Sequence, residues 1–553
     1  MGLVAWGWWL GAGGLGPGNA EAANRCPTCL QPHAPSLERT CAGACEKRSS
    51  EVRCADTCLA ARRPRDTHGE PLLPCRFRRK DMKLALVKLP GTYANWYKRP
   101  VHGLAYVASY ARSKGFDCTV FDAYFHSWSE KELKRRLAAY KPDVVGFTAM
   151  THEVTIAGRM AAELKVSIHA PMVVGGCHAT ALPGRTLAEF PGFDYAVFGE
   201  GEHTMVELLQ HLQPGRLEVR DVKGVAFRQS DGSIVVNEPR PRLTPAELDA
   251  LPYPAFDDYY GENREAPRPK DAYYAMFTSR GCPSNCAFCM RVLGRQVRRR
   301  SAESIVAEME YAIERWGAHV FDFADEIFLF DTPETRRLLQ MFIDRGLADR
   351  VKWSAETRAN LVNPDIIALA KRAGCRCICM GVESGDDEIL KGVNKGITVE
   401  QVRRAVKIIH DAHIAVGTFY ILGHPNETRE TVRKTVSLAV ELNTHAVSMG
   451  IMVPYPGTRI FEMASRGEGG YRLLTQDWSF YDKYGGHAME IEGLPHSELL
   501  KWQRRAFIRL YLRNFRFREG LRFIWSRRHA AYYFVRRRIS AILGAAERLP
   551  AQS

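Results

Sequence analysis

The chain has 553 residues, with 77 Lys+Arg against 62 Asp+Glu, for a formal net charge of +15. Apolar residues make up 46% and charged residues 25%, which excludes collagen, a wholly disordered chain and a polytopic membrane protein. No run approaches the roughly 20 uninterrupted apolar residues that a spanning helix needs.

At roughly 150 residues per domain, the length predicts about three or four folded units. Residues 1–81 stand apart, dominated by Gly, Ala, Pro, Arg and Cys, and hold seven of the 15 cysteines. Residues 1–23 faintly resemble a signal peptide but lack a basic n-region. Cys26 with Cys29, Cys41 with Cys45 and Cys54 with Cys58 form pairs of disagreeing spacing, and no His pairs follow, so zinc is not expected there. The expectation is a low-order extension, with the functional protein starting at Met82. The other eight cysteines are sparse enough for a reducing compartment.

From Met82 the pattern becomes regular. Apolar runs at 84–89, 118–121, 144–147, 172–174 and 195–198 alternate with helix-like stretches at 104–114 and 131–140. Ser129 and Glu132 have capping-box spacing. Short, nearly continuous apolar strands between helices predict a parallel sheet covered on both faces. Residues 82–245 are therefore expected to form a five-strand, doubly wound, Rossmann-like α/β domain, with its ligand beyond the carboxyl ends of the strands.

A Pro-rich linker at 246–272 leads to a second βα series over 273–480. Its strands are expected at 273–278, 320–323, 351–353, 377–382, 415–421 and 447–453. One helix is expected to start near Ser301 and stop at Gly317, and another at Thr398, where Gln401 completes a capping box. Six such units predict a partial (β/α)6 TIM-like barrel, with its chemistry at the carboxyl ends of the strands.

Directly after the first barrel strand comes Gly281-Cys282-Pro283-Ser284-Asn285-Cys286-Ala287-Phe288-Cys289. Three cysteines on one loop can converge on one metal centre, and thiolates are the usual ligands of iron–sulfur clusters. With no fourth cysteine nearby, one iron of a four-iron cluster is left open; structural zinc would want four ligands.

Cys-x3-Cys-x2-Cys after the first strand of a βα series resembles the radical S-adenosylmethionine (SAM) superfamily. The preceding doubly wound domain is similar to its cobalamin-binding subgroup, and the resemblance covers roughly residues 82 to 480. It implies a [4Fe–4S] cluster on Cys282, Cys286 and Cys289, whose open iron binds the amino and carboxylate groups of SAM and whose electron releases a 5′-deoxyadenosyl radical. It further implies Phe288 beside the adenine and Asp325-Glu326 against the SAM amino group. Glu356 with Arg358 supplies an acidic/basic pair in which the guanidinium can fork a carboxylate. Glu383 and Ser384, in Gly381-Val382-Glu383-Ser384-Gly385, are implied near ribose and methionine. Ile421 is an apolar adenine contact, and Pro454 ends the sixth strand. Cys375, Cys377 and Cys379 would share a strand face at period 2, and are expected to pack in the core rather than hold a second cluster.

In the first domain the resemblance implies cobalamin at Pro100, Gly103, Thr148, Gly175, Gly176, His178, Thr180, Gly199, Glu200 and Gly201. Paired glycines let the backbone approach a flat ligand. Asp-x-His-x-x-Gly, by which other cobalamin enzymes place a His on cobalt, is absent, so His178 is expected to make ordinary loop hydrogen bonds. A dinucleotide site is disfavoured, because Gly-x-Gly-x-x-Gly is missing after the first strand.

Residues 481–553 form a basic region expected to be helical, and from Pro495 onward it carries 14 Lys+Arg against 3 Asp+Glu. Mixed arginines and aromatics suit a helical cap with a solvated face, or a peripheral contact with an anionic membrane; no nucleic acid partner is expected. The expected function is that of an enzyme: cobalamin-dependent radical methylation of an unactivated carbon on a hydrophobic or secondary-metabolite substrate. The alternatives are chemistry like that of anaerobic magnesium-protoporphyrin monomethyl ester cyclases, without methyl transfer, and a non-catalytic cobalamin or redox sensor. A flavodoxin- or ferredoxin-type electron donor and a cytoplasmic setting, with at most peripheral contact with the inner face of the membrane, complete the expectation. No catalytic residue is legible, and neither is the substrate.

Overall fold

The computed structural model describes residues 82–90, 99–213, 217–261, 273–483 and 486–526. The N-terminal extension with its cysteine pairs, and the tail beyond 526, lie outside the described residues.

Strands β1 (Lys83–Lys88), β2 (Asp117–Asp122), β3 (Val144–Thr148), β4 (Met172–Gly175) and β5 (Tyr195–Val197) fall where the apolar runs predict them. They pair in parallel in the order β2-β1-β3-β4-β5. Alternate residues divide between two cores: Leu84 and Leu86 pack with Leu104 and Ala108, while Ala85 and Val87 pack with Leu133, Leu137 and Ala157. Helices His102–Ser113 and Glu130–Tyr140 therefore cover opposite faces.

Two corrections apply to this sheet. It has seven strands, because an antiparallel pair, β6 (Val225–Arg228) and β7 (Ile234–Val236), extends it beyond β5. Only half the Ser129 capping box forms: Ser129 accepts from the Glu132 amide, but the Glu132 carboxylate is taken by Arg135 and Arg136.

Strands β8 (Tyr273–Met276), β11 (Val320–Phe323), β12 (Lys352–Thr357), β13 (Cys375–Glu383), β14 (Ala415–Leu422) and β15 (Ala446–Ile451) make a six-stranded parallel sheet in sequential order, an open half-barrel. Short strands β9 (Ser279–Arg280) and β10 (Arg298–Arg299) flank the cysteine loop, and β16 (Tyr471–Leu473) pairs with β17 (Met489–Ile491). Ser301 caps the helix Ala302–Trp316, which stops at left-handed Gly317, and Thr398 and Gln401 form the complete capping box of Val399–Asp411.

The Pro-rich segment is not a free tether over its described part. Two short helices, Pro245–Asp249 and Asp257–Tyr260, seat Leu243, Leu248, Ala255, Phe256 and Tyr259 in buried positions. Phe256 and Tyr259 join a core cluster that also contains Leu104 and Tyr274, so one apolar core runs from the first sheet into the second. His102 reinforces this, with Nε2 bonded to the Ala275 carbonyl at 2.9 Å between the rings of Phe256 and Phe277.

The cysteines of β13 are buried, as expected of core residues, but do not share one face. A register shift between Trp353 and Ser354 puts Cys375 with Ile378 and Met380, whereas Cys377 and Cys379 pack with Ala415 and Phe419. Cys379 fills space left by Gly417, where an added Cβ would lie 2.3 Å from its sulfur.

Candidate functional site: a three-cysteine loop facing glycine-rich strand ends

The cysteine loop is held at its base by backbone contacts. Gly281 has φ +102°, and a Cβ there would sit 2.1 Å from the Gln296 carbonyl, so only glycine fits. Cys282 N–H donates to Gly294 O at 3.0 Å and Cys289 N–H to Cys286 O at 3.2 Å. Ala287 donates to Val393 O and accepts from Ile460 N–H, which ties the loop to two further segments of the half-barrel. The three cysteines form no disulfide. Burial raises the Cys289 thiol, and the neighbouring sulfurs of Cys286 and Cys282 raise it further. Among the described residues no three His, Cys, Asp or Glu side chains close on a single ion. Three thiolates on one loop, with no fourth protein ligand beside them, fit a cluster with one open iron better than a four-ligand structural zinc.

The expected SAM-contacting residues separate into those turned inward to the protein and those left beside the loop. Asp325 is fully used: its carboxylate accepts from Thr278 N–H at 2.7 Å, from Ser279 Oγ at 2.6 Å and from Thr278 Oγ1. It clamps the strand that leads into the cysteines. Ser384 likewise meets Thr435 Oγ1 at 3.2 Å and accepts from the Asp386 amide. Glu326 accepts from Gly281 N–H at 3.1 Å, and burial raises its pKa.

Arg358 reaches the loop itself, with Nη1 3.7 Å from Cys286 Sγ, and its other arm donates to the Lys395 carbonyl. Glu356 is half-buried, and desolvation together with the fields of Asp322 and Glu383 pushes its pKa up to about 8. Glu383 adopts φ +69° at the end of β13, a conformation uncommon for a side chain of this kind, and pairs with Lys395 Nζ at 2.7 Å. Gly381 leaves room for that pair, since a Cβ would meet both partners within 2.7 Å. Phe288 is buried, edge-on to His424 at 6.2 Å and 5.9 Å from Lys395 Nζ. Ile421 is half-buried, and Pro454 is buried past β15.

At the carboxyl ends of the first sheet, the glycine-rich loops converge. Gly176, at φ +94°, lies so close to Thr148 and Ala149 that a Cβ would meet Ala149 O at 2.8 Å. Gly199 N–H donates to Thr180 Oγ1 at 3.2 Å, joining the loops after β4 and β5. Gly199 itself is exposed, with open space where a side chain would be. Gly175 is half-buried at the end of β4, Pro100 is buried, and Gly103 is exposed at the start of helix His102–Ser113.

Two residues in this group depart from their expected setting. His178 is buried, and neither ring nitrogen has a hydrogen-bond partner among the described residues; it packs edge-on to Trp478 at 4.9 Å. Among the described residues the expected loop hydrogen bonds are replaced by packing on Trp478, and burial lowers the His178 pKa to about 4. Glu200 is enclosed in a buried ionic network. It accepts from Arg280 at 3.1 Å, from Arg298 at 2.9 Å and from Leu243 N–H at 2.8 Å, while Arg280 also meets Glu202 at 2.6 Å. Gly201 follows as the first residue of helix Gly201–His211. This network links the loop after β5 to the residue before Gly281, so the glycine-rich strand ends and the cysteine loop are mechanically joined.

Lys395, Trp478, Arg280 and Arg298 carry parts of this arrangement that sequence reading missed. The local signals were slight: a lysine before Gly396, and the arginine run Arg298-Arg299-Arg300.

Known proteins share this order of domains. The sequence matches the radical SAM superfamily over residues 276–439 and the B12 binding domain over residues 97–209. It is 32% identical over 451 residues to an "uncharacterized methyltransferase" of Pyrococcus horikoshii, covering 78% of this chain and 93% of that protein. It is 30% identical over 383 residues to an anaerobic magnesium-protoporphyrin IX monomethyl ester cyclase of Rubrivivax gelatinosus, covering 66% of each. The fold is similar to that of the radical SAM methyltransferase TsrM from Kitasatospora setae, solved with cobalamin and a [4Fe–4S] cluster; the TM-score is 0.61 at 20% identity, covering 78% of this chain and 88% of that one. The chain belongs to the radical SAM superfamily, in the group that carries a B12 binding domain. It is a cobalamin-dependent radical SAM enzyme whose cofactors are a [4Fe–4S] cluster, SAM and cobalamin.

Proposed function

We propose that this radical SAM enzyme transfers a methyl group from SAM to an unactivated carbon of a small, lipophilic substrate. The observation that carries the reading is the 32% identity to a methyltransferase along 93% of that protein's length. When bound, the cluster supplies the electron that cleaves SAM and cobalamin supplies the methyl carrier.

The chain's own residues take the following parts. Cys282, Cys286 and Cys289 hold three irons. Glu326 accepts from the SAM ammonium, and Arg358, already beside Cys286, forks the SAM carboxylate. Phe288, Glu356, Glu383, Ile421 and Pro454 line the SAM space. Asp325 and Ser384, whose polar atoms bond within the protein, position the loops. Thr148, Gly175, Gly176, Thr180 and Gly199, with Pro100, Gly103 and Gly201, would hold the cobalamin, and His178, buried against Trp478, would support the loop after β4 from behind. Glu200 braces these strand ends against the cysteine loop. Residues 82–245, 246–272, 273–480 and 481–553 serve as cobalamin unit, connecting segment, radical barrel and basic cap. A low-potential flavodoxin or ferredoxin supplies electrons.

A second reading, oxidative cyclisation without methyl transfer, draws support from the 30% identity to the cyclase. Reduced, reconstituted protein given SAM with a deuterated methyl group separates the two. Methylation yields S-adenosylhomocysteine beside 5′-deoxyadenosine and retains the label on a product. Cyclisation yields 5′-deoxyadenosine alone.

A further inference from the structure

Helix His496–Arg513 is firmly seated on one side only. Leu499, Ala506, Phe507 and Leu510 are buried, Gln503 donates to Met449 O at 2.7 Å, and Asn514 donates to Val440 O at 3.1 Å. Its outer face carries two adjacent rows at four-residue spacing: Lys501, Arg505, Arg509 and Arg513 in one, Arg504, Ile508 and Leu512 in the other. Ile508 and Leu512 are each more than half exposed, at 57% and 56%. After the turn, Phe515 is 80% exposed, and Phe517 and Leu521 continue the apolar surface. Five of the ten exposed large hydrophobic side chains among the described residues thus fall within residues 508–521.

Among the described residues the flanking arginines have no carboxylate partner. Among the described residues Arg504, Arg505, Arg509, Arg513 and Arg518 appear in no salt bridge, whereas Arg516 meets Glu519. Arg509 and Arg513 also line a cleft of about 330 Å³ with Ser437 and Glu441. The carboxylate in that cleft is already neutralised by Arg403, 2.6 Å away, so the cleft presents net positive charge.

We infer that this face docks on an anionic phospholipid bilayer, its apolar centre entering the headgroup boundary and its arginines meeting lipid phosphates. An apolar stripe edged by basic residues has the complementarity of such a surface. Nucleic acid would match the arginines but leave Ile508, Leu512 and Phe515 without an apolar phase. Residues 527–553, with six arginines against one glutamate, add to the positive charge of the C-terminal region. The inference does not depend on which reaction the enzyme performs.

The test is flotation of the full-length holoenzyme with two kinds of vesicle: phosphatidylcholine alone, and phosphatidylcholine with phosphatidylglycerol in equal parts. The wild type floats with the anionic vesicles, and added salt releases it. At roughly fivefold per basic residue near the surface, R509E/R513E lowers the partition coefficient at least ~25-fold, while R509K/R513K retains it. I508E/L512E, on exposed positions, also loses binding. SAM cleavage in vesicle-free buffer stays at the wild-type rate in all variants, which separates this inference from the assignment of the reaction. Any of five results overturns it: equal binding to neutral vesicles; no vesicle binding; face variants that still float while truncation after Ser526 abolishes binding; binding of duplex DNA in place of vesicles; or a change of oligomeric state in I508E/L512E without vesicle binding by the wild type.

Discussion

Replacing Glu200 with Gln tests the joint between the glycine-rich strand ends and the cysteine loop. Glu200 and Glu202 balance Arg280 and Arg298 in a buried group of four charges. Removing the Glu200 charge leaves that group at +1 and weakens bonds from Arg280 at 3.1 Å and Arg298 at 2.9 Å. Breaking a buried pair by removing one partner costs about 3–5 kcal/mol. The expected loss of stability is of that order, read from urea unfolding of the full chain. Arg298→Met alone should cost a similar amount. The double variant, neutral again, should recover part of the loss, with a coupling of about 0.5–3 kcal/mol. Burial works against the Glu200 charge, but Arg298 and Arg280 outweigh it and hold the carboxyl below its ordinary range. With the folded pKa below the unfolded one, this stabilisation is present above about pH 4.3 and is lost as pH falls through the folded value. The gap between wild type and Glu200→Gln should therefore narrow in acid. A loss below about 1 kcal/mol, with no coupling and a sharp fall in cobalamin affinity instead, would refute the reasoning: Glu200 would then face the ligand rather than brace the joint.

Cys286→Ala should remove the iron–sulfur absorption band and abolish formation of 5′-deoxyadenosine, as measured by iron content and chromatography. Gly281→Ala drives a methyl group into the Gln296 carbonyl, and should lower iron loading severalfold while leaving far-ultraviolet circular dichroism unchanged. Thr180→Val removes the hydroxyl that accepts from Gly199 N–H; at about 0.5–1.5 kcal/mol per hydrogen bond, cobalamin affinity should weaken by roughly two- to tenfold, as read by equilibrium titration. Burial lowers the His102 pKa to about 4, so its folded value lies below the unfolded 6.5 or so and stability falls as pH drops between them, by up to ~1.4 kcal/mol per pH unit. His102→Gln should flatten that limb of the unfolding profile.

Much of this architecture is legible in the chain because its signals are local. The βα alternation marks both sheets, and Ser301, Gly317, Thr398 and Gln401 mark helix ends through contacts within four residues. The cysteine loop is legible because its spacing is itself the chemistry. Features that depend on partners far along the chain are hidden. β7 has three residues, half-buried or exposed, and so carries no apolar run. Glu200, Asp325 and Ser384 sit in motifs that suggest ligand contact, yet their polar atoms are satisfied by Arg298, Ser279 and Thr435, residues 46 to 98 positions away. Trp478 reaches His178 across 300 residues. The shift that turns Cys375 away from Cys377 and Cys379 arises from pairing with β12, which period-2 counting cannot register.

Methyl transfer by this enzyme can be tested without its substrate. Protein starting at Met82, purified without oxygen, with its cluster reconstituted and cobalamin added, is reduced and given SAM bearing a deuterated methyl group. Visible spectra are followed, and S-adenosylhomocysteine is quantified by mass spectrometry. Methyl transfer predicts protein-dependent conversion of the cobalamin spectrum to that of its methylated form, with one S-adenosylhomocysteine released per cobalamin and deuterium retained on the corrinoid. Cobalamin that binds but stays unmethylated, while SAM is still cleaved to 5′-deoxyadenosine, would contradict methyl transfer and move the cyclase-like reading ahead.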